Sequence, residues 1–480
     1  MDTTIPLCVD LDGTLIRTDL LHEAMIQFAK HHPADLWRVP LWLAAGKARL
    51  KQELAARIDI DPTALPYRED LLDFIAAERQ AGRPVALVTA SPRRWAERIA
   101  AHLGLFDQVE ATESINLKGR DKAALLVERH GHQGFDYVGD CAADHAVWEK
   151  SRQALCAGAA TRLRRAPANA GASFPDTGNR WRGMVKAMRP HQWAKNALIF
   201  VPMFAGHRTD MDAFVASLLA FIAFSLAASA TYLINDLLDL AADRAHPRKR
   251  LRPFAAGDVA VSTGIGMAGL LFALAIVTSL FLPPGFILTL VAYIVVTTAY
   301  SLRLKRAALV DIFTLAGLYT VRIVAGAVAT GILLSVWLLV FSMFLFFALA
   351  VVKRCAELAN LTVQPASRVA GRGYYPEDMD VLVGMGAASG FSATLVLAIY
   401  TTQPTVSKLY PAPELLLLIC PFFSYWIARF LLLARRGHMD DDPIVFATKD
   451  RLSLATFAIC GGIVLLASSG AVDVGFIADM

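Results

Sequence analysis

The sequence has few charged residues and no paired cysteines. Charged side chains make up 19% of its 480 residues and hydrophobic ones 55%, and the mean hydropathy is +0.45. These values exclude an intrinsically disordered chain and an ordinary soluble enzyme. The net charge is only +5, and no Lys/Arg block is interleaved with aromatic residues, so we expect no nucleic-acid partner. The six cysteines form no CxxC pair and no metal-ligand spacing, which predicts reduced thiols in a cytosol-facing protein.

The charged residues that are present are concentrated before about residue 185. The first residues contain acids and no basic segment, so we expect no cleavable signal peptide. The distribution predicts an α/β domain over residues 1–156, a small, polar and basic linker over 157–182, and a membrane domain over 183–480.

Long, mostly apolar runs in the last 300 residues predict about nine transmembrane helices, because about 20 apolar residues are needed to cross a bilayer. A short first span is expected at residues 193–206. The remaining runs are 213–235, 259–302 (broken at Pro283-Pro284-Gly285), 307–352 (with a hinge at Gly331), 381–401, 415–433 and 452–472.

Basic residues are distributed unequally between the loops. The loops after predicted spans two, four, six and eight contain sixteen Lys and Arg residues, and the other loops contain two. The spans predict a multi-pass protein of the cell (inner) membrane, and this asymmetry predicts its orientation. We expect the N-terminal domain and the membrane-domain active site on the cytoplasmic side, with the short C-terminal tail outside.

Polar residues follow three apolar strands of the N-terminal domain. Asp10 and Asp12 follow the first strand, with the spacing of a carboxylate nucleophile and an acid/base. A surface Asp-Gly turn is the alternative for this motif alone. Thr89 follows the second strand, and Lys122, Asp140 and Asp144 come later in the chain.

In that order, these elements resemble the haloacid dehalogenase (HAD) superfamily of phosphatases. The resemblance implies a Rossmann-like α/β fold with a helical cap at about residues 18–80. It implies that Asp10 attacks phosphorus, that Asp12 protonates the leaving oxygen, and that Thr89 and Lys122 hold the phosphoryl oxygens. Lys118 is a competing candidate for the lysine. The implied Mg2+ ligands are Asp10, Asp12, Asp140 and Asp144.

An acidic motif lies at the cytoplasmic end of the second predicted span. Its members are spaced by three or four residues, so we expect them on one helix face, where they can hold Mg2+ on a diphosphate: Asn235, Asp236, Asp239 and Asp243. Basic residues able to bind phosphate oxygens follow in Arg248, Lys249, Arg250 and Arg252. A solvated loop that serves only topology is the alternative.

Further polar residues lie in or next to the apolar runs. Tyr300 and Lys305 precede Asp311, and Arg322 interrupts an otherwise apolar helix, where a structural pair of Asp311 with Arg322 is the alternative to a functional role. Other candidates for phosphate binding are Arg189, Lys195, Asn196, Lys353 and Arg354. The acidic run at residues 440–442 fits either a metal-binding loop or a solvated turn.

Together these residues resemble the UbiA superfamily of intramembrane prenyltransferases. The RPxQWxKN, HPxKRxRP and KRxxEL strings are similar to its decaprenyl-phosphate phosphoribosyltransferase branch, and Asp311 stands alone where other members usually carry a second acid pair. The resemblance implies a Mg2+-dependent transfer from phosphoribosyl pyrophosphate to a polyprenyl phosphate. Asp311 would then bind metal or ribose hydroxyls.

Two classes of function remain on the sequence alone. The first is a bifunctional enzyme of the lipid bilayer, in which the HAD domain removes the 5-phosphate to give polyprenylphosphoryl ribose for glycan synthesis. Its rival is a prenyltransferase with an aromatic or glycerol-phosphate acceptor, whose HAD domain hydrolyses an unrelated phosphate or pyrophosphate. The second class has a HAD domain that is regulatory or oligomerising, and the oligomeric state is left open.

Overall fold

The computed structural model describes residues 4–113, 116–158, 167, 169–176, 178–359, 373–404, 406–439 and 442–469. The chain forms two compact units. The first contains Met1–Met188 and Tyr232–Gly269, and the second contains Arg189–Thr231 and Leu270–Met480. The segment 232–269, which the sequence analysis places in the membrane domain, therefore belongs to the first unit.

The first unit is built on a six-stranded parallel sheet with the order β3-β2-β1-β4-β5-β6. Its strands are β1 (Leu7–Val9), β2 (Val85–Pro92), β3 (Gln108–Thr112), β4 (Asp136–Gly139), β5 (Ala154–Gly158) and β6 (Ala170–Pro175). Val9 of β1 lies opposite Leu87 on one side and Val138 on the other. The predicted α/β class is confirmed, and the chain leaves the sheet for loops at the carboxyl ends of β1 and β4, where such sheets bind ligands.

Strand β6 lies inside the range that the sequence analysis assigns to the linker. It pairs with β5, with Cys156 opposite Ser173 and Gly158 opposite Pro175. Among its six residues Phe174 alone is buried, so the strand has neither an apolar run nor an alternating pattern. The linker prediction is wrong for residues 170–175, and residues 159–166, 168 and 177 lie outside the described part of the chain.

Helices lie between and after the strands of the first unit. Four of them form the predicted cap between β1 and β2: α1 (Leu20–His31), α2 (Arg38–Ala44), α3 (Lys47–Arg57) and α4 (Glu69–Gln80). They are followed by α5 (Arg93–Leu103), α6 (Arg120–His130), α7 (His145–Trp148) and α8 (Arg180–Met188). Asp19 begins α1 by accepting hydrogen bonds from the N–H groups of Leu21 and His22. Phe28 and Leu54 of the cap share one buried core with Trp95 of α5.

The remaining helices are mostly long and apolar. They are α9 (Val201–Ala205), α10 (Met211–Leu238), α11 (Leu240–Arg244), α12 (Val261–Ser279), α13 (Pro284–Leu302), α14 (Val310–Thr330), α15 (Val336–Ala359), α16 (Met379–Thr401), α17 (Ile419–Arg435), α18 (Pro443–Ala447) and α19 (Arg451–Ser469). In the described part of the chain, eight helical segments are long and apolar enough to cross a membrane, and they coincide with eight of the nine predicted spans.

The predicted first span is built differently from the other eight. A 3-10 helix covers Pro190–Phe200 and the short helix α9 follows it, so the segment is not one long α-helix. Pro202 lacks an N–H and cannot donate a hydrogen bond back into the preceding turn, and it lies next to the point where the helix type changes. The segment approaches α14 closely, because any Cβ at Gly326 would collide with the backbone of Ile199. In the described part of the chain, the predicted spans of about nine helices thus correspond to eight long helices and this composite segment.

The interior of the second unit is formed mainly by α14, α15 and α17. Ile312, Tyr319, Phe346, Trp426 and Phe430 belong to one buried core. Helix α16 packs against α15 and α17 through glycines, since a Cβ at Gly386 would lie 2.9 Å from Val351 and from Leu431. Several polar and charged side chains are nevertheless buried within this apolar unit.

Candidate functional sites

The first candidate site lies at the carboxyl end of β1. Asp10 follows the strand directly, and its N–H donates to the carbonyl of Val138, 3.0 Å away. Its Oδ1 lies 2.9 Å from Nζ of Lys122, a buried residue in the first turn of α6. Burial raises the pKa of Asp10, while the ammonium group of Lys122 acts to lower it. The structure thus brings together the predicted nucleophile and one predicted phosphate-binding cation.

Lys122 is held in place by a chain of hydrogen bonds. It donates to the hydroxyl of Tyr137 at 2.8 Å, and that hydroxyl donates to Oδ1 of Asp144 at 3.0 Å. The other oxygen of Asp144 accepts the N–H groups of Asp140 and Cys141, at 3.1 and 3.0 Å. Tyr137 has no place in the sequence prediction, because an aromatic residue inside an apolar strand is indistinguishable from core packing.

Asp12 lies on the side of the site that faces the cap. Its Oδ1 accepts the N–H of Leu20 at 2.8 Å, and its Oδ2 accepts the hydroxyl of Ser91 at 2.6 Å. The N–H of Ser91 donates to Oγ1 of Thr89 at 3.0 Å. Burial, with a smaller contribution from the nearby carboxylate of Asp19, raises the pKa of Asp12 to about 7. A carboxyl group with this pKa can act as an acid and as a base near neutral pH. The sequence analysis did not predict Ser91 as a site residue. The available signal was a hydroxyl two residues after Thr89.

The donor atoms of this site fit Mg2+. Carboxylate oxygens of Asp140 and Asp144 lie within 4.8 Å of each other, whereas the neighbouring Cys141 thiol, whose pKa burial raises to about 12, is not a Mg2+ ligand. The Cβ of any residue other than glycine at position 13, where φ is +76°, would collide with the Asp140 carboxylate. Burial, followed by the charges of Asp10 and Asp144, raises the pKa of Asp140 to about 8. Carboxylates forced together in this way are stabilised by a hard divalent cation with oxygen ligands.

The acidic motif also belongs to the first unit. Its backbone keeps helical hydrogen bonds, from Asp239 N to Asn235 O at 2.9 Å and from Asp243 N to Asp239 O at 2.8 Å. Nη1 of Arg252 lies 3.1 Å from Oδ1 of Asp236 and 2.6 Å from Oδ2 of Asp243. Both carboxylates are buried, and one arginine joins them, as expected for residues on a common face.

Asp239 has a different partner. It lies between α10 and α11, at φ −99° and ψ 11°, and its Oδ1 is 3.1 Å from Nζ of Lys30 in the cap helix α1. The expected row of three equivalent carboxylates is therefore divided between Arg252 and Lys30. The predicted phosphate-binding residues Arg248, Lys249 and Arg250 are exposed on the following loop.

The second unit contains a buried network around Asp311. Its Oδ2 lies 2.5 Å from Nε of Arg354, and its Oδ1 accepts the hydroxyl of Tyr374 at 2.5 Å. Arg354 also donates to the hydroxyl of Tyr300 at 2.7 Å and forms an ion pair with Glu357. The alternative that Asp311 pairs with Arg322 is therefore wrong, because α15 supplies the arginine.

Arg322 lies in a second network. Its Nε donates to Oδ1 of Asn196 at 2.8 Å and its Nη2 to the hydroxyl of Tyr293 at 3.3 Å. The guanidinium also lies over the Tyr293 ring, 4.9 Å from its centroid. Asn196 in turn donates to the hydroxyl of Ser225 at 2.9 Å. The structure thus joins two residues predicted to bind phosphate, Asn196 and Arg322.

Asp442 connects two further predicted cations. It forms an ion pair with Lys195 and lies 3.8 Å from Nζ of Lys353. It also begins α18 by accepting the N–H groups of Ile444 and Val445. Although burial alone would raise it, the two lysines hold the pKa of Asp442 below its usual value. Neither a metal loop nor a solvated turn describes this buried residue, and residues 440–441 lie outside the described part of the chain.

Two further predicted residues lie outside the long helices. Arg189 precedes the 3-10 helix Pro190–Phe200, and Lys305 lies in a one-turn 3-10 helix after α13. Among the described residues, these buried and partly buried networks contain four cations against three carboxylates: Lys195, Arg322, Lys353 and Arg354 against Asp311, Glu357 and Asp442. Cations beside an apolar interior can bind the phosphate group of a lipid.

Residues 197–449 match the UbiA prenyltransferase family, and residues 39–177 match the haloacid dehalogenase-like hydrolases. The chain belongs to the UbiA prenyltransferase family. It carries a HAD domain in its N-terminal part, so its resemblance to both families is confirmed. The protein is therefore an intramembrane transferase joined to a hydrolase domain.

Three relatives are similar over different parts of the chain. The y4nM protein of Sinorhizobium fredii is 40% identical over 94% of this chain and 89% of its own length. Nodulation protein NoeC of Azorhizobium caulinodans is 36% identical over 56% of this chain and 88% of its own. Decaprenyl-phosphate phosphoribosyltransferase of Mycobacterium tuberculosis is 41% identical over 37% of this chain and 60% of its own. A solved UbiA homolog from Archaeoglobus fulgidus, bound to GPP and Mg2+, covers 59% of this chain and 99% of its own at 15% identity and a TM-score of 0.45.

Proposed function

We propose that the chain transfers a 5-phosphoribosyl group from phosphoribosyl pyrophosphate to a polyprenyl phosphate, and that its HAD domain then removes the 5-phosphate. The observation that carries this proposal is the pair of Asp311 with Arg354. Other members of the family usually carry a second metal-binding acid pair, but this chain has only Asp311 at that position. Arg354, from the KRxxEL string, neutralises it. The relative named decaprenyl-phosphate phosphoribosyltransferase supports the same choice of substrates.

The acidic motif would bind the diphosphate of the donor. Asn235, Asp236, Asp239 and Asp243 are the residues that would hold Mg2+, which supplies positive charge for the departing pyrophosphate. Arg252 already contacts two of these carboxylates and would bind phosphate oxygens beside them, together with Arg248, Lys249 and Arg250. Lys305 is a further candidate for binding phosphate. In the reaction, the bond between C1 of the ribose and the pyrophosphate oxygen breaks.

The buried cations would hold the acceptor. Lys195, Arg322 and Lys353, with Arg189 beside them, would orient the lipid phosphate so that one of its oxygens forms the new bond to C1. Positive charge that develops on the sugar would be balanced by the phosphate groups on either side of it. Asp311, held by Arg354 and Tyr374, is left to accept hydrogen bonds from the ribose hydroxyls.

The HAD site would then hydrolyse the 5-phosphate ester. Asp10 attacks phosphorus while Asp12 gives its proton to the leaving ribose oxygen, and Asp12 afterwards takes a proton from the water that cleaves the aspartyl-phosphate. Lys122 and Thr89 would hold the phosphoryl oxygens. Asp10, Asp12, Asp140 and Asp144 would hold Mg2+, which neutralises phosphoryl charge.

We further propose that both sites lie on the cytoplasmic side of the inner membrane. The contacts of the cap helix α1 with the loop after α10 support a common side for the two sites. Because α10 then leads to the opposite side, the chain has to cross once more between residues 188 and 211. The composite segment Pro190–Ala205 is about 30 Å long when its 3-10 and α-helical residues are added, which matches the thickness of a bilayer core.

The test is mass spectrometry of lipid products formed by the purified full-length chain with Mg2+, phosphoribosyl pyrophosphate and a polyprenyl phosphate. We expect polyprenylphosphoryl ribose, and no product from the Asp236→Asn variant. No product with this donor, together with product from a prenyl diphosphate and an aromatic or glycerol-phosphate acceptor, would replace the proposal by the ordinary prenyltransferase reaction.

A further inference from the structure

The cap helix α1 contacts the acidic motif and the loop that follows it. Nζ of Lys30 lies 3.1 Å from Oδ1 of Asp239 and donates to the carbonyl of Leu238 at 2.6 Å. About two helical turns closer to the start of α1, Glu23 accepts hydrogen bonds from Nη2 and Nη1 of Arg244, at 2.6 and 2.9 Å. The hydrolase domain thus supplies a cation, Lys30, to the acidic motif of the transferase.

The pair of Glu23 with Arg244 fixes this arrangement. Both side chains are buried, with 2% and 6% exposure, and Glu23 also accepts the hydroxyl of Thr18 at 2.5 Å. Gly257 of the same loop has φ +76°, and a Cβ there would lie 2.9 Å from the carbonyl oxygen of Arg17. Because breaking a buried pair leaves an uncompensated charge, the loop and the cap are held together tightly.

Lys30 is more exposed to solvent than the pair of Glu23 with Arg244. Its side chain and that of Asp239 are 28% and 36% exposed, so water and ions can reach the pair. Lys30 also has a second acceptor in the carbonyl of Leu238, at the C-terminal end of α10, where a cation is favoured by the helix dipole. The ammonium group can therefore leave the Asp239 carboxylate and still keep a partner.

We propose that Lys30 is a positioning residue of the transferase site, which occupies Asp239 until a divalent cation displaces it. An ammonium group and a metal ion cannot both bind the same carboxylate oxygen without mutual repulsion, so the two compete for Asp239. Lys30 thereby holds the carboxylate in place in the empty site and weakens metal binding. The inference rests on the proposed function only in requiring that the acidic motif binds a divalent cation.

The same helix touches the hydrolase site. The N–H of Leu20, the first residue of α1, donates to Oδ1 of Asp12 at 2.8 Å, and Lys30 lies at the other end of the helix. Twelve helical residues span about 18 Å, so one rigid element extends from the hydrolase acid/base to the acidic motif. This placement gives the HAD domain a role in the transferase that is separate from its own hydrolysis.

The test measures Mn2+ binding by electron paramagnetic resonance on the full-length protein without substrate. An Asp140→Asn background removes a ligand of the hydrolase site. We expect Lys30→Met to tighten Mn2+ binding about three- to fivefold, the effect of losing one partly exposed ion pair. Lys30→Arg keeps a cation and should bind Mn2+ as the parent does. Lys47→Met, at an exposed lysine of the same cap, is the matched control and should leave the affinity unchanged.

The result depends on Asp239. Adding Asp239→Asn should abolish the difference in affinity between the parent and the Lys30→Met variant, because the contested carboxylate is gone. Unchanged or weaker Mn2+ binding in Lys30→Met, or a tightening that persists without Asp239, would overturn the inference. If Asp236→Asn and Asp239→Asn leave the number of bound Mn2+ ions unchanged, the proposed metal role of the acidic motif fails instead, so the two failures are distinguishable.

Discussion

The carboxylate of Asp311 lies 2.5 Å from Nε of Arg354, and both side chains are buried. Asp311 lies in the first turn of α14 and Arg354 near the end of α15, so the pair joins two long helices of the second unit. Tyr300 and Tyr374 complete the network by hydrogen bonds to the arginine and to the aspartate. The pair connects the two helices. In the proposed reaction it also holds Asp311 in place to accept hydrogen bonds from the ribose hydroxyls.

Removal of one partner of this pair should cost more than removal of both. Arg354→Met leaves the Asp311 carboxylate buried without its cation, and such a change costs about 3–5 kcal/mol. The double variant Asp311→Asn with Arg354→Met should recover much of this loss. Thermal unfolding of the purified protein in detergent gives the measurement. Equal midpoints for the single and double variants would show that the unpaired Asp311 carboxylate is not what destabilises Arg354→Met.

Asp239→Ala should abolish the lipid product while hydrolysis of a generic phosphate ester by the HAD domain continues. The reason is that Asp239 belongs to the acidic motif, whereas the hydrolase site is built from other residues at the end of β1. Parallel assays with lipid and soluble substrates on one preparation provide the check. Transferase activity within about tenfold of the wild type, roughly 1.4 kcal/mol, would remove Asp239 from the metal site.

Asp10→Asn should make the protein accumulate the 5-phosphorylated lipid. The amide keeps the shape of the side chain but cannot form an aspartyl-phosphate, so transfer continues and hydrolysis stops. The two lipids differ by one phosphate group and are separated by mass spectrometry. Identical lipids from wild type and variant would mean that the HAD domain acts on another substrate, such as released pyrophosphate, and the transferase assignment would stand.

Acid should destabilise the first unit through Asp136 of β4. Burial alone would raise the pKa of Asp136, but the guanidinium groups of Arg152 and Arg83 outweigh it and hold the pKa below its usual value. A carboxyl with a lowered folded-state pKa stabilises the fold fully above the unfolded value of about 3.9, and this contribution is lost as the pH falls through the folded value.

Asp136→Asn should remove that acid dependence and lower the stability by about 3 kcal/mol at neutral pH, because two guanidinium groups lose a shared buried anion. Hydrogen-exchange protection factors of β1 and β4 in the full chain, measured from about pH 6 downward, give the comparison across the window in which the folded and unfolded pKa values differ. If the protection of Asp136→Asn falls with acid as steeply as that of the wild type, another carboxyl group causes the acid dependence.

The sequence by itself determined the order of the domains, the positions of eight spans and the grouping of the hydrolase residues. Apolar runs set the span positions because a bilayer requires a minimum apolar length, and the parallel sheet brings strand ends together whatever the loops between them. Asp10 and Lys122 could therefore be paired from their motifs, although Tyr137 and Ser91, which support the site, could not.

Only the tertiary structure decided which charges meet. Asp311 pairs with Arg354 and not with Arg322, because the angle and register at which α14 and α15 pack select the partner, and neither is encoded locally. The pairs of Asp239 with Lys30, and of Asp442 with Lys195 and Lys353, join residues far apart in the chain. Strand β6 likewise exists through its pairing with β5, since its small residues carry no strand pattern of their own.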